Sequence, residues 1–213
     1  MEQNSTIRPP RDQAELRDVL AMTLDRLDPE ASGVDYRLVG TGAALAQGVH
    51  LPTGDVDILV ARRADVDQFA AALSEFRCLD PPVWLADARQ YFVRFAVAGI
   101  GVGASTVERP VDTDTFECIG RGPWEHFVRV ECGRHTVPAV RLELRLVSEL
   151  VRNRPDRYQP LIERLRSPDA DLDLVHRSMR DRAVDPVLRQ RVLAALHPPG
   201  AAPDHDPAPP TSR

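Results

Sequence analysis

Apolar residues recur along this chain with two different spacings, and the spacing separates helices from strands. Between Gln13 and Leu27 they recur every three or four residues, which predicts an amphipathic helix. Tyr36–Val39 and Asp55–Val60 are short apolar runs typical of core strands, and the alanine-rich segment between them predicts a short helix. Residues 65–76 carry apolar side chains on one helical face, which predicts a surface helix.

Two pairs of β-prone runs come next, and then four helical segments. The β-prone runs are residues 91–97 with 100–107, joined at Ala98-Gly99, and residues 127–132 with 136–140, joined at Gly133-Arg134. The helical segments are residues 142–151, 157–165, 171–179 and 186–196. This order predicts an α+β fold, with a mixed β-sheet core and flanking helices over residues 13–140 and a small C-terminal helical lobe over residues 141–196. We expect the polar segment 1–12 and the proline- and alanine-rich segment 197–213 to be disordered.

The charge and amino-acid composition of the chain exclude some classes of function. The formal net charge is −5, whereas a dedicated polynucleotide binder usually has a basic face or stripe, so we expect no nucleic-acid partner. All 27 basic residues are arginine, which excludes lysine nucleophiles and requires any phosphate clamp to be arginine. No apolar run approaches membrane-spanning length and the N-terminus has no signal-peptide core, so we expect a cytoplasmic protein without a membrane partner.

Asp55 and Asp57 are the strongest candidates for chemistry. Strand side chains alternate between faces, so the two carboxylates project together and repel each other unless a cation lies between them. Mg²⁺ suits such a pair, since it binds one or two carboxylates and leaves positions open for substrate phosphates. Gly40 and Thr41 offer N–H groups and a hydroxyl at a helix start, where phosphates bind. The pattern predicts nucleotide chemistry; the alternative is two ordinary acids at a solvent-facing strand end.

The same stretch resembles a known signature. It reads Val39-Gly40-Thr41, thirteen intervening residues, and then Asp55-Val56-Asp57-Ile58. It is similar to the polymerase-β-like nucleotidyltransferase superfamily, in which an apolar residue, Gly, and Gly or Ser precede an Asp-apolar-Asp strand. Thr41 departs from Gly or Ser but keeps the hydroxyl. The resemblance implies a nucleotidyltransferase core and points to the small aminoglycoside- and lincosamide-modifying branch or to the antitoxin-like branch.

The resemblance also implies an activity. A nucleoside monophosphate would pass from an NTP co-substrate to a hydroxyl-type acceptor, and pyrophosphate would be released. Asp55 and Asp57 would hold two Mg²⁺ ions, and Gly40 and Thr41 would grip the triphosphate. The acceptor is expected to be a small molecule, because the chain is short and acidic and has no nucleic-acid module.

In the resembled superfamily a third carboxylate normally lies on a later strand beside the aspartate pair. The equivalent strand is the run 100–107, and its hairpin turn puts Gly103 at the expected position. Glu108, the nearest acid, lies about 16 Å further along a straight strand at roughly 3.3 Å per residue, so only a bulge or bend would bring it in. Glu108 is therefore the candidate third catalytic acid, with a solvated strand-end charge as the alternative.

Four arginines are further candidates for the phosphate side. Arg62 and Arg63 follow the aspartate strand directly and could donate to triphosphate oxygens. Arg152 and Arg154 in the helical lobe could serve the phosphate or the acceptor. The alternatives are a solvated strand end for the first pair and helix-end salt bridges for the second.

Two other functions stay open at the level of sequence. One is a regulatory protein of the toxin–antitoxin type that uses the same fold. The other is a non-catalytic nucleotide-binding homologue, which the glycine at position 103 suggests because it leaves the third carboxylate degenerate.

Overall fold

A computed structural model describes residues 7–108, 115–117 and 124–197 of the chain. The segments expected to be disordered lie outside the described residues, apart from residues 7–12 and His197. Within residues 7–12, the Arg8 backbone N–H donates to the Gly99 carbonyl at 3.1 Å, and the Arg8 guanidinium pairs with Glu15.

The described elements alternate strands and helices up to residue 140 and are helical afterwards. In chain order they are α1 (Gln13–Leu27), α2 (Pro29–Ser32), β1 (Tyr36–Val39), α3 (Gly40–Ala46), β2 (Val56–Val60), α4 (Arg63–Ala72), β3 (Arg77–Leu85), β4 (Gln90–Val97), β5 (Ile100–Ser105), β6 (Phe127–Cys132), β7 (His135–Val140), α5 (Leu142–Val151), α6 (Pro155–Arg164), α7 (Leu172–Asp181) and α8 (Pro186–Leu196). This arrangement confirms the predicted α+β class.

The strands form one mixed sheet. Its seven described strands are ordered β3-β4-β5-β2-β1-β7-β6. β2 pairs in parallel with β5, and β1 in parallel with β7, whereas the other neighbours are antiparallel. The predicted β4–β5 hairpin is confirmed, and Ala98 and Gly99 both take the positive φ that a tight two-residue turn requires. β2 and β5 therefore lie side by side near the middle of the sheet.

The two faces of the sheet differ in character. Val56, Ile58 and Val60 of β2 are buried in the main hydrophobic core, on the side where α4 packs against β2, β4 and β5. Asp57 lies on the opposite face, because successive strand residues alternate.

A second hydrophobic core lies among the C-terminal helices. α5 joins the two cores: Leu144 belongs to the main core, whereas Leu146 and Leu150 pack with α6, α7 and α8. Ala44 of α3 also belongs to the second core, so the helix after β1 contacts the helical lobe. None of the described helices combines the length and apolarity needed to cross a bilayer.

Candidate active site

Asp55 and Asp57 lie on the face of the sheet opposite α4. Asp55 immediately precedes β2, and Asp57 pairs in register with Val39 of β1 on one side and Gly103 of β5 on the other. Asp57 opens into a cavity of about 200 Å³, which is also lined by Gly40. The predicted site residues Gly40, Asp55 and Asp57 are thus brought together.

Two glycines make room for these carboxylates. Gly40 has φ +66°, and a Cβ there would lie 2.6 Å from Asp57 Oδ2. At Gly101 of β5, a Cβ would lie 2.8 Å from Asp55 Oδ1. Both distances are shorter than real contacts allow, so a side chain at either position would displace a carboxylate. Gly40 is needed for its backbone conformation as well, since positive φ is strained for most residues.

Thr41 has a different environment. It lies in the first turn of α3 with 8% of its surface exposed, and it is not among the residues that line the Asp57 cavity. Its role in gripping a phosphate therefore stays a prediction from the sequence.

The Asp57 carboxylate is open to solvent but lies at the base of a cleft with protein around most of it. No side chain in the described part of the chain forms a hydrogen bond or an ion pair with it. Burial raises the pKa of Asp57 to about 6, and the charge of Asp55 acts in the same direction, while Arg145 and Arg152 act in the opposite direction. A carboxylate without a partner, beside a second carboxylate, is the environment that a bound cation would relieve.

The Asp55 carboxylate, in contrast, already has a partner. Arg94 of β4 donates from Nη1 to Asp55 Oδ2 at 2.7 Å, and from Nε to Asp80 Oδ2 of β3 at 2.8 Å. Sequence reasoning missed Arg94. The available signal was an arginine in a strand whose two neighbours, Val93 and Phe95, are buried core residues.

β5 supplies no acid to this face. Gly103 is the in-register neighbour of Asp57, the position that the predicted hairpin turn gave it. A Cβ at Gly103 would lie 2.9 Å from Phe92 Cε2, so the aromatic ring occupies the space where a third carboxylate would begin. Gly101 and Ser105 are the other β5 residues on this face.

Glu108, Arg63 and Arg62 are not brought to the aspartates. Glu108 accepts two hydrogen bonds from Arg63, the first residue of α4, each 2.8 Å long, and one from Thr106. This contact lies on the α4 side of the sheet and holds the pKa of Glu108 below its usual range. Arg62 pairs with the buried Asp65 in the cap of α4. In this structure Glu108 therefore pairs with Arg63 and does not lie beside Asp57 as a third acid.

The far wall of the cavity is a buried charge cluster. Arg145 of α5 is 2% exposed and forms ion pairs with Glu117 and Glu149, which are equally buried. Glu117 and Arg145 line the Asp57 cavity together with Arg152, one of the two lobe arginines considered for the phosphate or the acceptor, while Glu117 and Arg145 were missed. Arg145 and Glu149 were detectable as an i,i+4 pair on a mostly apolar helix.

The donor set fits a divalent cation only in part. Within the described residues, no three His, Cys, Asp or Glu side chains are close enough to hold a metal by themselves. Asp55 and Asp57 supply two carboxylates on one face, with glycines against both. Mg²⁺ commonly accepts this number of protein ligands when phosphate and water oxygens complete its shell.

Comparison with solved structures identifies the fold. A provisionally assigned nucleotidyltransferase from Thermotoga maritima superposes with a TM-score of 0.51 at 21% identity, over 78% of this chain and 98% of that chain. The chain therefore has the fold of this nucleotidyltransferase structure, which is the fold that the sequence resemblance implied.

Two further structures are similar but more distant. They are an antigenic nucleotidyltransferase-like protein from Paracoccidioides brasiliensis and the antibiotic-resistance factor ANT(2'')-Ia, each 11% identical with a TM-score of 0.46. Both matches cover 85% of this chain, with 92% and 95% of the other chains. At these scores they add nothing to the fold assignment. No protein-family model and no curated protein matches the sequence.

Proposed function

We propose that the chain is a Mg²⁺-dependent nucleotidyltransferase that moves a nucleoside monophosphate from an NTP to a hydroxyl group of a small-molecule acceptor. The observation that carries the proposal is the pair Asp55 and Asp57 on one strand face, next to Gly40, in a chain with the nucleotidyltransferase fold. Asp57, which is partly desolvated and has no side-chain partner among the described residues, supports a cation site there.

Each residue has a distinct part in this proposal. Asp55 and Asp57 would hold Mg²⁺, which when bound would offset phosphate charge and acidify the attacking hydroxyl. Gly40 lets the backbone approach Asp57 closely and leaves the cavity open beside it. Arg152 is the exposed cation of the cavity wall and is the candidate phosphate ligand. Arg145 is fixed between two buried glutamates, and its charge at Asp57 is opposed by that of Glu117.

A second candidate function is a nucleotide-binding protein without turnover. The observation that favours it is Gly103 under the Phe92 ring, because β5 then offers no general base beside Asp57. Loss of a general base lowers rates by roughly 10²–10⁴, which slows a metal-assisted transfer but does not abolish it. We therefore expect low turnover.

The test is pyrophosphate release with Mg²⁺, each of the four NTPs and a panel of hydroxylated small molecules. Release by the wild type but not by D57N would support the transferase. The matched control is D25N, which removes an exposed carboxylate that pairs with Arg134 far from the cavity. Mg²⁺-dependent nucleotide binding without release would favour the non-catalytic alternative. Equal release by wild type and D57N would contradict the assignment of the site.

A further inference from the structure

The two aspartates of the site are in unequal states. Asp57 has no side-chain partner in the described part of the chain, whereas Asp55 is ion-paired with Arg94 at 2.7 Å. Both side chains of the pair are about one-third exposed, with 35% for Arg94 and 31% for Asp55. A guanidinium is permanently charged, so this positive charge is present at any pH at which the protein is folded.

The path of Arg94 across the sheet is unusual. Arg94 belongs to β4 and Asp55 precedes β2, and β5 lies between these strands. Neighbouring strands are about 4.8 Å apart, so the arginine has to span about 10 Å over the face of β5. It does so beside Gly101, which has no side chain and against which Asp55 packs, whereas the space over Gly103 is occupied by the Phe92 ring. Gly101 thus leaves room for the carboxylate that the arginine reaches.

A second acid holds the arginine in place. Asp80 of β3 pairs in register with Arg94 and accepts from its Nε at 2.8 Å. Because Nη1 contacts Asp55 and Nε contacts Asp80, the contact with Asp55 can break while the contact with Asp80 remains. An arginine held by Asp80 alone would leave the Asp55 carboxylate available to a cation.

We propose that Arg94 is the resident counter-ion of the metal site, which neutralises Asp55 until a divalent cation displaces it, and which thereby weakens the affinity of the site for metal. This proposal rests on the proposed function, because it takes Asp55 and Asp57 as the metal ligands. Arginine and a divalent cation compete for the same carboxylate and repel each other at this distance. The competing explanation is that Arg94 is a structural link between β4 and β2, in which case its removal lowers stability without tightening metal binding.

The test is a titration with Mn²⁺ alone, in which free Mn²⁺ is followed by electron paramagnetic resonance. We expect R94Q to bind Mn²⁺ roughly fivefold to tenfold more tightly than the wild type. This is the size expected when a partly exposed ion pair no longer competes for Asp55 and the arginine no longer repels the cation. The matched control is R134Q, which makes the same change in net charge at an exposed arginine paired with Asp25. R134Q should bind Mn²⁺ like the wild type.

The outcomes separate this proposal from the proposed function. Equal or weaker Mn²⁺ binding by R94Q, with measurable binding by the wild type, would overturn the role of Arg94 and leave the metal site standing. Absence of Mn²⁺ binding in both proteins would overturn the metal site and this proposal with it. Mn²⁺ binding that persists in D57N would show that the ion is bound elsewhere and would also overturn both.

A second variant covers the case in which R94Q does not fold. R94K keeps the charge, but its ammonium cannot reach two acids in the planar geometry of a guanidinium. It should therefore bind Mn²⁺ more tightly than the wild type, by less than R94Q. An R94K affinity equal to or weaker than that of the wild type would overturn the proposal.

Discussion

At the scale of single residues, the site is defined by the different surroundings of two carboxylates. Asp55 is neutralised by Arg94, while the raised pKa of Asp57 shows that its ionised form is disfavoured in the folded chain. A fold retains such a carboxylate at a cost in stability, and a bound cation would remove that cost. Gly40 and Gly101 place no side chain of their own against Asp57 and Asp55.

The first prediction concerns Asp57 and pH. Its pKa in the folded chain is about 6, above the usual 3.8, so ionised Asp57 destabilises the fold. This destabilisation is absent below about pH 4, grows as the pH rises through 6 and is complete above it. In EDTA, D57N should be more stable than the wild type at pH 8, by up to about 1 kcal/mol once solvent screening is allowed for, and equal at pH 4. Urea unfolding at both pH values measures this.

D25N is the control for that experiment, and it should behave in the opposite way. His135 and Arg134 lower the pKa of Asp25, so the ionised form stabilises the fold, and D25N should be the less stable protein at pH 8. A D57N protein that is also less stable than the wild type at pH 8 would show that Asp57 has a stabilising partner.

The second prediction concerns Gly40. G40A forces a side chain into positive φ and within 2.6 Å of Asp57 Oδ2, so it should destabilise the chain by about 1–3 kcal/mol and weaken Mn²⁺ binding. Gly54 is the matched control, because a Cβ there meets nothing within 4 Å. G54A should change stability by less than about 0.5 kcal/mol. Equal unfolding and equal Mn²⁺ binding by the two variants would contradict the close approach at Gly40.

At the scale of secondary structure elements, the hydrophobic pattern predicted most of the fold. α1 occupies Gln13–Leu27 as predicted, because Asp12 caps its start and Asp28 ends it in the left-handed conformation. β3 was not predicted, since Pro81 and Pro82 interrupt it and most of it is exposed. Proline has no N–H to donate to a neighbouring strand, but β3 tolerates it because β3 is an irregular strand at the edge of the sheet.

Strand alternation also accounts for the placement of Glu108. Glu108 lies five residues after Gly103 along the strand. Because five is an odd number, the two residues lie on opposite faces of a regular strand. The partners of Glu108 were not predictable, because Arg63 approaches it across 45 residues of sequence.

The third prediction concerns Glu108 on the α4 side of the sheet. E108Q should leave Mn²⁺ binding and any nucleotidyl transfer unchanged within about twofold, while the melting temperature falls slightly because Arg63 loses its charged partner. The assays are pyrophosphate release and thermal unfolding of the same preparation. A loss of transfer of about 10²-fold, the size expected for a general base, would instead identify Glu108 as the third acid.

At the scale of the whole molecule, the buried cluster of Glu117, Arg145 and Glu149 connects the parts that form the cavity. Arg145 and Glu149 belong to α5, and Glu117 belongs to the segment between β5 and β6. The nearby Thr115 donates to Asp181 of α7 at 2.9 Å, and the Arg182 guanidinium lies 3.8 Å from the centre of the Phe116 ring, so this segment contacts both α5 and the end of α7. No local sequence pattern specifies such a cluster, because it forms only when the lobe and the sheet are assembled.

The fourth prediction tests this cluster. R145M removes the buried cation that pairs with Glu117 and leaves Glu149 with only the two longer contacts, 3.9 Å each, from Arg154 and Arg157, so it should destabilise the chain by about 3–5 kcal/mol. R134M is the control, since it removes an arginine from an exposed pair and should cost less than about 1 kcal/mol. Urea unfolding of both variants gives the comparison, and a loss below about 1 kcal/mol for R145M would show that the glutamates find other partners.

The central claim is that Asp55 and Asp57 together bind the metal of a nucleotide substrate. Crystals grown with Mn²⁺ and a non-hydrolysable analogue of each NTP in turn would test it most directly, through the anomalous signal of manganese. We predict a manganese peak between the two carboxylates, with the phosphates of the analogue in the cavity beside Gly40 and Arg152. A bound analogue with manganese away from both aspartates, or manganese bound equally well in D57N crystals, would contradict the account.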